Sequence, residues 1–153
     1  MGTQQILMII LSVIVVGAAI AVGIQMFDTQ ADNQTRNALV VESMQMGVQA
    51  QAFYRTPSMM GGAGFKQTGI LGTDTVLTRL ALYINKYADP ITADGFTINI
   101  DSLGEFVFTL NGVELEIVAT DGGGKIQVHT LVKLAGGGKD GIVVNPNYTP
   151  ATP

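Results

Sequence analysis

The sequence predicts an α+β protein in which one long N-terminal helix, apolar through its first half, packs against a small antiparallel sheet of four or five strands. Three observations carry this reading. Residues Ile6 to Phe27 run ILMIILSVIVVGAAIAVGIQMF, 22 residues without a charge or a proline. No proline occurs before Pro57, and Gly47 is the single glycine between Gly23 and Gly61, so nothing interrupts a helix as the pattern turns amphipathic. From Phe96 onward the apolar residues recur with a period of two, the spacing of a strand with one buried face. The expected division is a helix over residues 1–55 and a globular β domain over 56–153.

The apolar run would be roughly 33 Å long at about 1.5 Å per residue, enough to cross the hydrocarbon core of a bilayer. Its polar members are Ser12 and Gln25, and the first charged side chain is Asp28. A helix that is apolar on every side must be buried on every side, in lipid or among copies of itself. A cleaved secretory signal would want a basic start and an apolar core of about 7–15 residues. Residues 1–5 carry no Lys or Arg and the run is longer, so the segment is expected to stay in the product.

Beyond Phe27 the helix is expected to continue to about Tyr54, and Pro57 ends it. Asp32 and Arg36 make a favourable i,i+4 pair. Ala38, Val41, Met44, Val48 and Ala52 form one apolar stripe, while Leu39, Met46 and Phe53 lie off it. The stripe is the expected partner of the sheet, near Val41, Met44 and Val48. Gly17 and Gly23 each cost about 1 kcal/mol of helix propensity relative to alanine, so a break or overstretch is expected between them in the assembled state.

Glycines at 61, 62, 64, 69 and 72 mark a loop. Thr73-Asp74 then supplies an N-cap for a short helix over 75–87, with Leu77, Leu80, Ala81 and Ile84 at helical spacing. Strands are expected over 96–100, 105–110, 113–119 and 125–135, with a short edge strand over 141–144. Asn111-Gly112 between alternating runs signals a type I′ hairpin. That loop pairs Leu110 with Val113, Phe108 with Leu115 and Phe106 with Ile117, leaving Glu114 and Glu116 on the solvent face. Ile126, Val128, Thr130, Val132 and Leu134 alternate inward on the next strand. The tail NPNYTPATP holds three of the five prolines and reads as extended.

Composition narrows the function. The formal net charge is −4, which offers no electrostatic footprint for nucleic acid. Zero cysteines remove disulfides, thiol chemistry and Cys-type zinc sites. His129 is the only histidine and falls on the polar strand face with Gln127 and Lys133, so an exposed bystander is expected. The stretch 136–141 fits G-x-G-x-x-G after a strand, but a strand rather than a helix follows, and a phosphate cradle needs the helix N-terminus. The Gly-Gly-Gly-Lys tetrads at 122–125 and 136–139 lack the hydroxyl residue of a P-loop and read as turns. No catalytic constellation, metal site or cofactor site is expected. Asn33 and Asn147 head N-glycosylation sequons, and Thr149 and Thr152 in the proline-rich tail suit O-linked glycans.

An uncharged apolar helix at the N-terminus that continues as an amphipathic spine under a small antiparallel sheet resembles the type IV pilin family. The likeness spans the chain as architecture but, as sequence, covers only about the first 55 residues. It implies a structural subunit held in the inner membrane by this helix and then bundled, in many copies, into an extracellular filament, with its role in adhesion, motility, DNA uptake or conduction left open. The implied core contacts fall on Gln5, Ile6, Leu7, Ile10, Val13, Val16, Gly17, Ile20, Gly23 and Phe27. The sequence departs from the family pattern at several points. The family places a glutamate at the fifth mature position, where this chain has Gln5 if Met1 is the mature start. It cuts a basic leader after a glycine, whereas Gly2 follows only Met1. It often has a proline two-thirds along the apolar segment, where this chain has Gly17 and Gly23. The alternative reading is a single-pass membrane-anchored protein or a secretion-system pseudopilin that forms only short assemblies.

Overall fold

The computed structural model describes residues 2–64, 70–71, 74–84, 95–111, 114–134 and 141–148. Helix α1 runs from Gly2 to Arg55 and is followed by a single 3₁₀ turn, Ser58–Met60. Two short strands, β1 (Ile70–Leu71) and β2 (Asp74–Thr75), pair antiparallel and lead directly into helix α2 (Val76–Ile84). Then come β3 (Gly95–Ile100), β4 (Gly104–Asn111), β5 (Glu114–Asp121), β6 (Gln127–Lys133) and β7 (Ile142–Asn145). These five form one antiparallel meander in sequence order. The fold is therefore α+β, a long helix and a five-stranded antiparallel sheet.

By its packing the chain falls into two compact units, Met1–Gln34 and Thr35–Pro153, and the division lies within α1. In the first unit the helix is unbroken through Gly17 and Gly23. This corrects the expected break as far as the single chain goes. Two glycine penalties of about 1 kcal/mol each weaken a helix, but flanking turns of Ile, Val and Ala still make every backbone bond.

The second unit is built on the inner face of the sheet. Phe96, Ile98, Phe106, Phe108, Leu115, Ile117, Ala119, Val128 and Val132 are fully buried or nearly so, with Ile126 and Leu134 close behind. Phe96 and Phe108 are cross-strand partners whose rings stack at 4.4 Å with an interplanar angle of 9°. Leu110 is half-buried, and Val113 lies outside the described residues. The alternation predicted for the strands over 96–100, 105–110, 113–119 and 125–135 is thus observed at their described residues.

The hairpin register is not the predicted one. Leu110 pairs with Leu115, Phe108 with Ile117, Phe106 with Ala119, and Asn111 closes the ladder opposite Glu114. The ladder is displaced by two residues from the Asn-Gly register. A two-residue slip leaves every side chain on its predicted face, because the strand period is two. The inward set is therefore right although the partners differ.

The side of α1 that meets the sheet also differs from expectation. Val41, Met44 and Val48 are exposed, at 63%, 44% and 56%. Leu39, Ser43, Met46, Gly47, Ala50, Phe53 and Tyr54 are buried instead, on nearly the opposite side of the helix. The reason is steric. Ser43, Gly47 and Ala50 are small, and they let sheet side chains close on the helix: a Cβ added at Gly47 would stand 3.0 Å from Val132 Cγ2. Val41, Met44 and Val48 offer no such recess. After Pro57 the chain folds back on the helix end, where the Ala63 N–H donates to Phe53 O at 3.1 Å. Gly62 is required there, because a Cβ would lie 2.2 Å from Thr56 O.

Polar contacts also join helix and sheet: Gln51 Nε2 donates to Gly141 O at 3.0 Å, and a hydroxyl pair lies in the fully buried part of the interface. Thr130 Oγ1 donates to Ser43 Oγ at 2.9 Å, and Ser43 Oγ donates to Val40 O at 2.9 Å, with both side chains fully buried. Ser43→Ala strands the Thr130 hydroxyl in an apolar core and is expected to cost about 1–3 kcal/mol. Adding Thr130→Val removes the orphaned donor and should recover most of that loss, since replacing both partners by apolar groups of similar shape is close to neutral. Denaturant unfolding of the two single variants and the double variant measures the coupling; purely additive losses would contradict the hydrogen-bonded relay.

The short helix α2 begins at Val76, after the β2 pairing, and Leu80 and Ala81 are buried. The expected cap and first residue of this helix are corrected in part: Asp74 and Thr75 pair with Leu71 and Ile70 in β2 instead, while Thr73, the C-terminal stretch 85–87 and the glycine stretch 136–139 lie outside the described residues.

Candidate assembly surface

Among the described residues the largest unexplained feature is the first unit itself. Every large apolar side chain from Ile6 to Phe27 is more than half exposed in the single chain. An 18-residue window there has a mean hydropathy of 2.9, long and apolar enough for the helix to cross a membrane. Two hydroxyls, one within this segment and one just beyond it, are satisfied by the helix's own backbone. Ser12 Oγ donates to Ile9 O at 2.8 Å and Thr29 Oγ1 donates to Gln25 O at 2.9 Å. Neither hydroxyl depends on water for a partner, which suits a segment destined for an apolar environment.

The predicted core residues all lie on this helix. At 3.6 residues per turn Ile6, Ile10, Val13, Gly17, Ile20 and Phe27 share one side. Gln5, Val16 and Gly23 flank that side, and Leu7 lies further round. Exposure runs from 56% at Ile10 and Val16 to 77% at Phe27 among the bulky members. A Cβ added at Gly17 or Gly23 would meet nothing within 4 Å. Nothing among the described residues therefore requires glycine at either place, and each leaves bare backbone on the surface.

The second unit adds smaller apolar exposures. Val41, Met44 and Val48 line the uncovered side of the spine, and the 3₁₀ turn displays Met59 and Met60 at 99% and 79% exposure. The helical period of 38–52 points the first three inward, so sequence alone does not reveal this surface.

The polar face of the sheet holds the residues considered for chemistry. Glu114 and Glu116 lie on the outer face as predicted, with Glu114 Oε1 3.7 Å from Lys133 Nζ. His129 lies on that face too, but it is no exposed bystander: its side chain retains only 21% of its exposure, with Glu116 Oε1 2.7 Å from Nε2 and the Tyr148 ring stacked on it. The tetrad at 122–125 is a turn. Asp121 Oδ1 accepts from the Lys125 and Ile126 N–H groups at 2.6 and 2.8 Å, and Gly124 takes a φ of 69°. Asn99, Asp101, Glu105 and Asp121 border a shallow open cleft at one end of the sheet. Among the described residues no group of three or more His, Asp or Glu side chains is placed to hold a metal ion. Asn33 is exposed on α1, Asn147 accepts a hydrogen bond from Arg36, and Thr149 and Thr152 lie outside the described residues.

Comparison with protein-family models, with curated proteins and with solved structures finds no match for this chain.

Proposed function

We propose that this chain is the structural subunit of an extracellular filament of type IV pilus-like architecture, inserted in the inner membrane before assembly and then polymerised through its N-terminal helix. The observation that supports this best is the exposed apolar surface from Ile6 to Phe27, uninterrupted by charge and carried on a helix that continues into the packed spine. Such a surface demands cover on all sides, which lipid supplies before assembly and neighbouring copies supply afterwards. Gly17, Ala18, Ala19, Ala21 and Gly23 suit the second environment, because small residues let helix backbones approach closely where no hydrophobic drive separates helix from lipid. The partners are thus many copies of the same chain, and Thr149 and Thr152 of the proline-rich tail are the proposed sites of O-linked glycans.

Material sheared from cells that produce the chain tests this. Negative-stain microscopy and peptide mass analysis are expected to show long filaments made of this polypeptide. Its recovery only from detergent-extracted membrane would assign it instead to the solitary anchor or the short pseudopilin assembly.

A further inference from the structure

The chain holds seven methionines and no cysteine, so thioethers are its only sulfur. Four of them lie in the second unit, in contrasting places. Met46 is 4% exposed and belongs to the buried core, and Met44 is half-exposed on the side of α1 away from the sheet. Met59 and Met60 stand side by side on the 3₁₀ turn, 99% and 79% exposed. The turn's sequence keeps them open. Their neighbours Ser58, Gly61 and Gly62 are too small to shade a sulfur, and no charged residue falls between Arg55 and Lys66. A Cβ added at Gly61 would meet nothing within 4 Å. The turn's backbone is held without help from either methionine side chain. Met60 N–H donates to Pro57 O at 2.9 Å, Gly61 N–H to Ser58 O at 3.1 Å and Gly64 N–H to Thr56 O at 2.9 Å.

We propose that Met59 and Met60 form the chain's hydroperoxide-reactive site, oxidised reversibly to the sulfoxide ahead of Met46 and without loss of folding stability. In the step, a sulfur lone pair attacks one oxygen of a hydroperoxide. The S–O bond forms, the O–O bond breaks, and the leaving oxygen takes the proton as water or an alcohol. Sulfur loses two electrons and the peroxide gains them, so no cofactor enters. Access decides which thioether reacts, because a buried one meets peroxide only when its surroundings open. Sulfoxide formation turns a flexible apolar side chain into a polar one, which disrupts a core. At Met46 that change would fall in the packed interface of helix and sheet. On the turn it places a polar group in water, where no packing is lost. All four sulfurs compared lie in the second unit, so the site exists whether or not the chain polymerises.

Tryptic cleavage separates the two groups: peptide 56–66 carries Met59 and Met60, and peptide 37–55 carries Met44 and Met46. The full-length chain in detergent micelles is exposed to dilute hydrogen peroxide, quenched, cleaved and weighed by mass spectrometry, with fragment ions distinguishing Met44 from Met46. Peptide 56–66 should gain its oxygens on the order of tenfold faster than Met46, or more. In denaturant that difference should vanish. A methionine sulfoxide reductase with a thiol reductant should return peptide 56–66 to its original mass. The unfolding midpoint should be the same before and after oxidation of the turn. Met59→Leu combined with Met60→Leu should keep that midpoint and leave peptide 56–66 unoxidised. Three results would overturn the proposal: Met46 reacting as fast as the turn in the folded chain, the same rate order persisting in denaturant, or a lowered midpoint once the turn is oxidised.

Discussion

Val16→Asp is expected to abolish filaments while leaving the chain able to enter the membrane. Val16 stands midway along the apolar run and is 56% exposed in the single chain, so the substitution breaks no contact within the molecule. In a lipid-embedded helix an aspartate at the centre costs about 2.5–3.5 kcal/mol on insertion scales, which the remaining apolar residues can largely absorb. In a bundle the same charge recurs in every copy, with neither lipid defect nor bulk water to solvate it. Each buried copy then carries a penalty of several kcal/mol, and the repulsion between neighbours adds to it. Val16→Leu keeps the apolar surface and should assemble normally. Membrane fractionation alongside microscopy of sheared material checks both halves of the statement, and filaments of ordinary length and yield from Val16→Asp would remove this helix from the core.

Phe108→Ala should produce the largest loss of folding stability of any single truncation in the sheet, about 3–5 kcal/mol. Phe108 is fully buried at the centre of the inner face, opposite Ile117 on β5 and stacked on Phe96 of β3. Truncation leaves a ring-sized cavity between two strands and also forfeits the stacking, itself worth about 0.5–1.5 kcal/mol beyond area burial. Against a typical total of about 5–15 kcal/mol for a domain, the variant would be marginally folded. Denaturant unfolding of the full-length chain in detergent, followed by tyrosine fluorescence, measures the shift. Thr109→Ala on the opposite face serves as the control, and a loss there as large as at Phe108 would contradict the assignment of faces.

The sequence made the helix, the five strands and the inward set of the sheet legible, because charge-free length and a period of two are strong local signals. It did not make the pairing legible. Gly112 suits the first position of a type II′ loop as readily as Asn111-Gly112 suits type I′, and a two-residue slip leaves the hydrophobic pattern unchanged. The choice of helix side failed for a different reason. Residues 38–54 carry two stripes, and the one through Ala38, Val41, Met44, Val48 and Ala52 is apolar at every helical step, whereas the other is interrupted by Ser43. The sheet took the other, where Ser43, Gly47 and Ala50 open a recess between Leu39, Met46 and Phe53. Small residues at such spacing were the available signal, and Ser43 masked it, since its burial depends on a partner at Thr130 that is 87 residues away. The His129 cluster was illegible for the same reason: Glu116, His129 and Tyr148 come together only through strand pairing. The exposed apolar surface of the first unit, by contrast, was readable from composition alone.

The central claim is that residues 6–27 form the interior of a polymer of identical chains. Helical reconstruction by electron cryo-microscopy of filaments sheared from the cell surface tests it most directly. The predicted result is a map in which the N-terminal helices pack against one another around the axis, with Val13, Val16 and Ile20 in contact between copies and the five-stranded sheets outside them. A map with the sheets in mutual contact at the axis and the apolar helices at the periphery would contradict it.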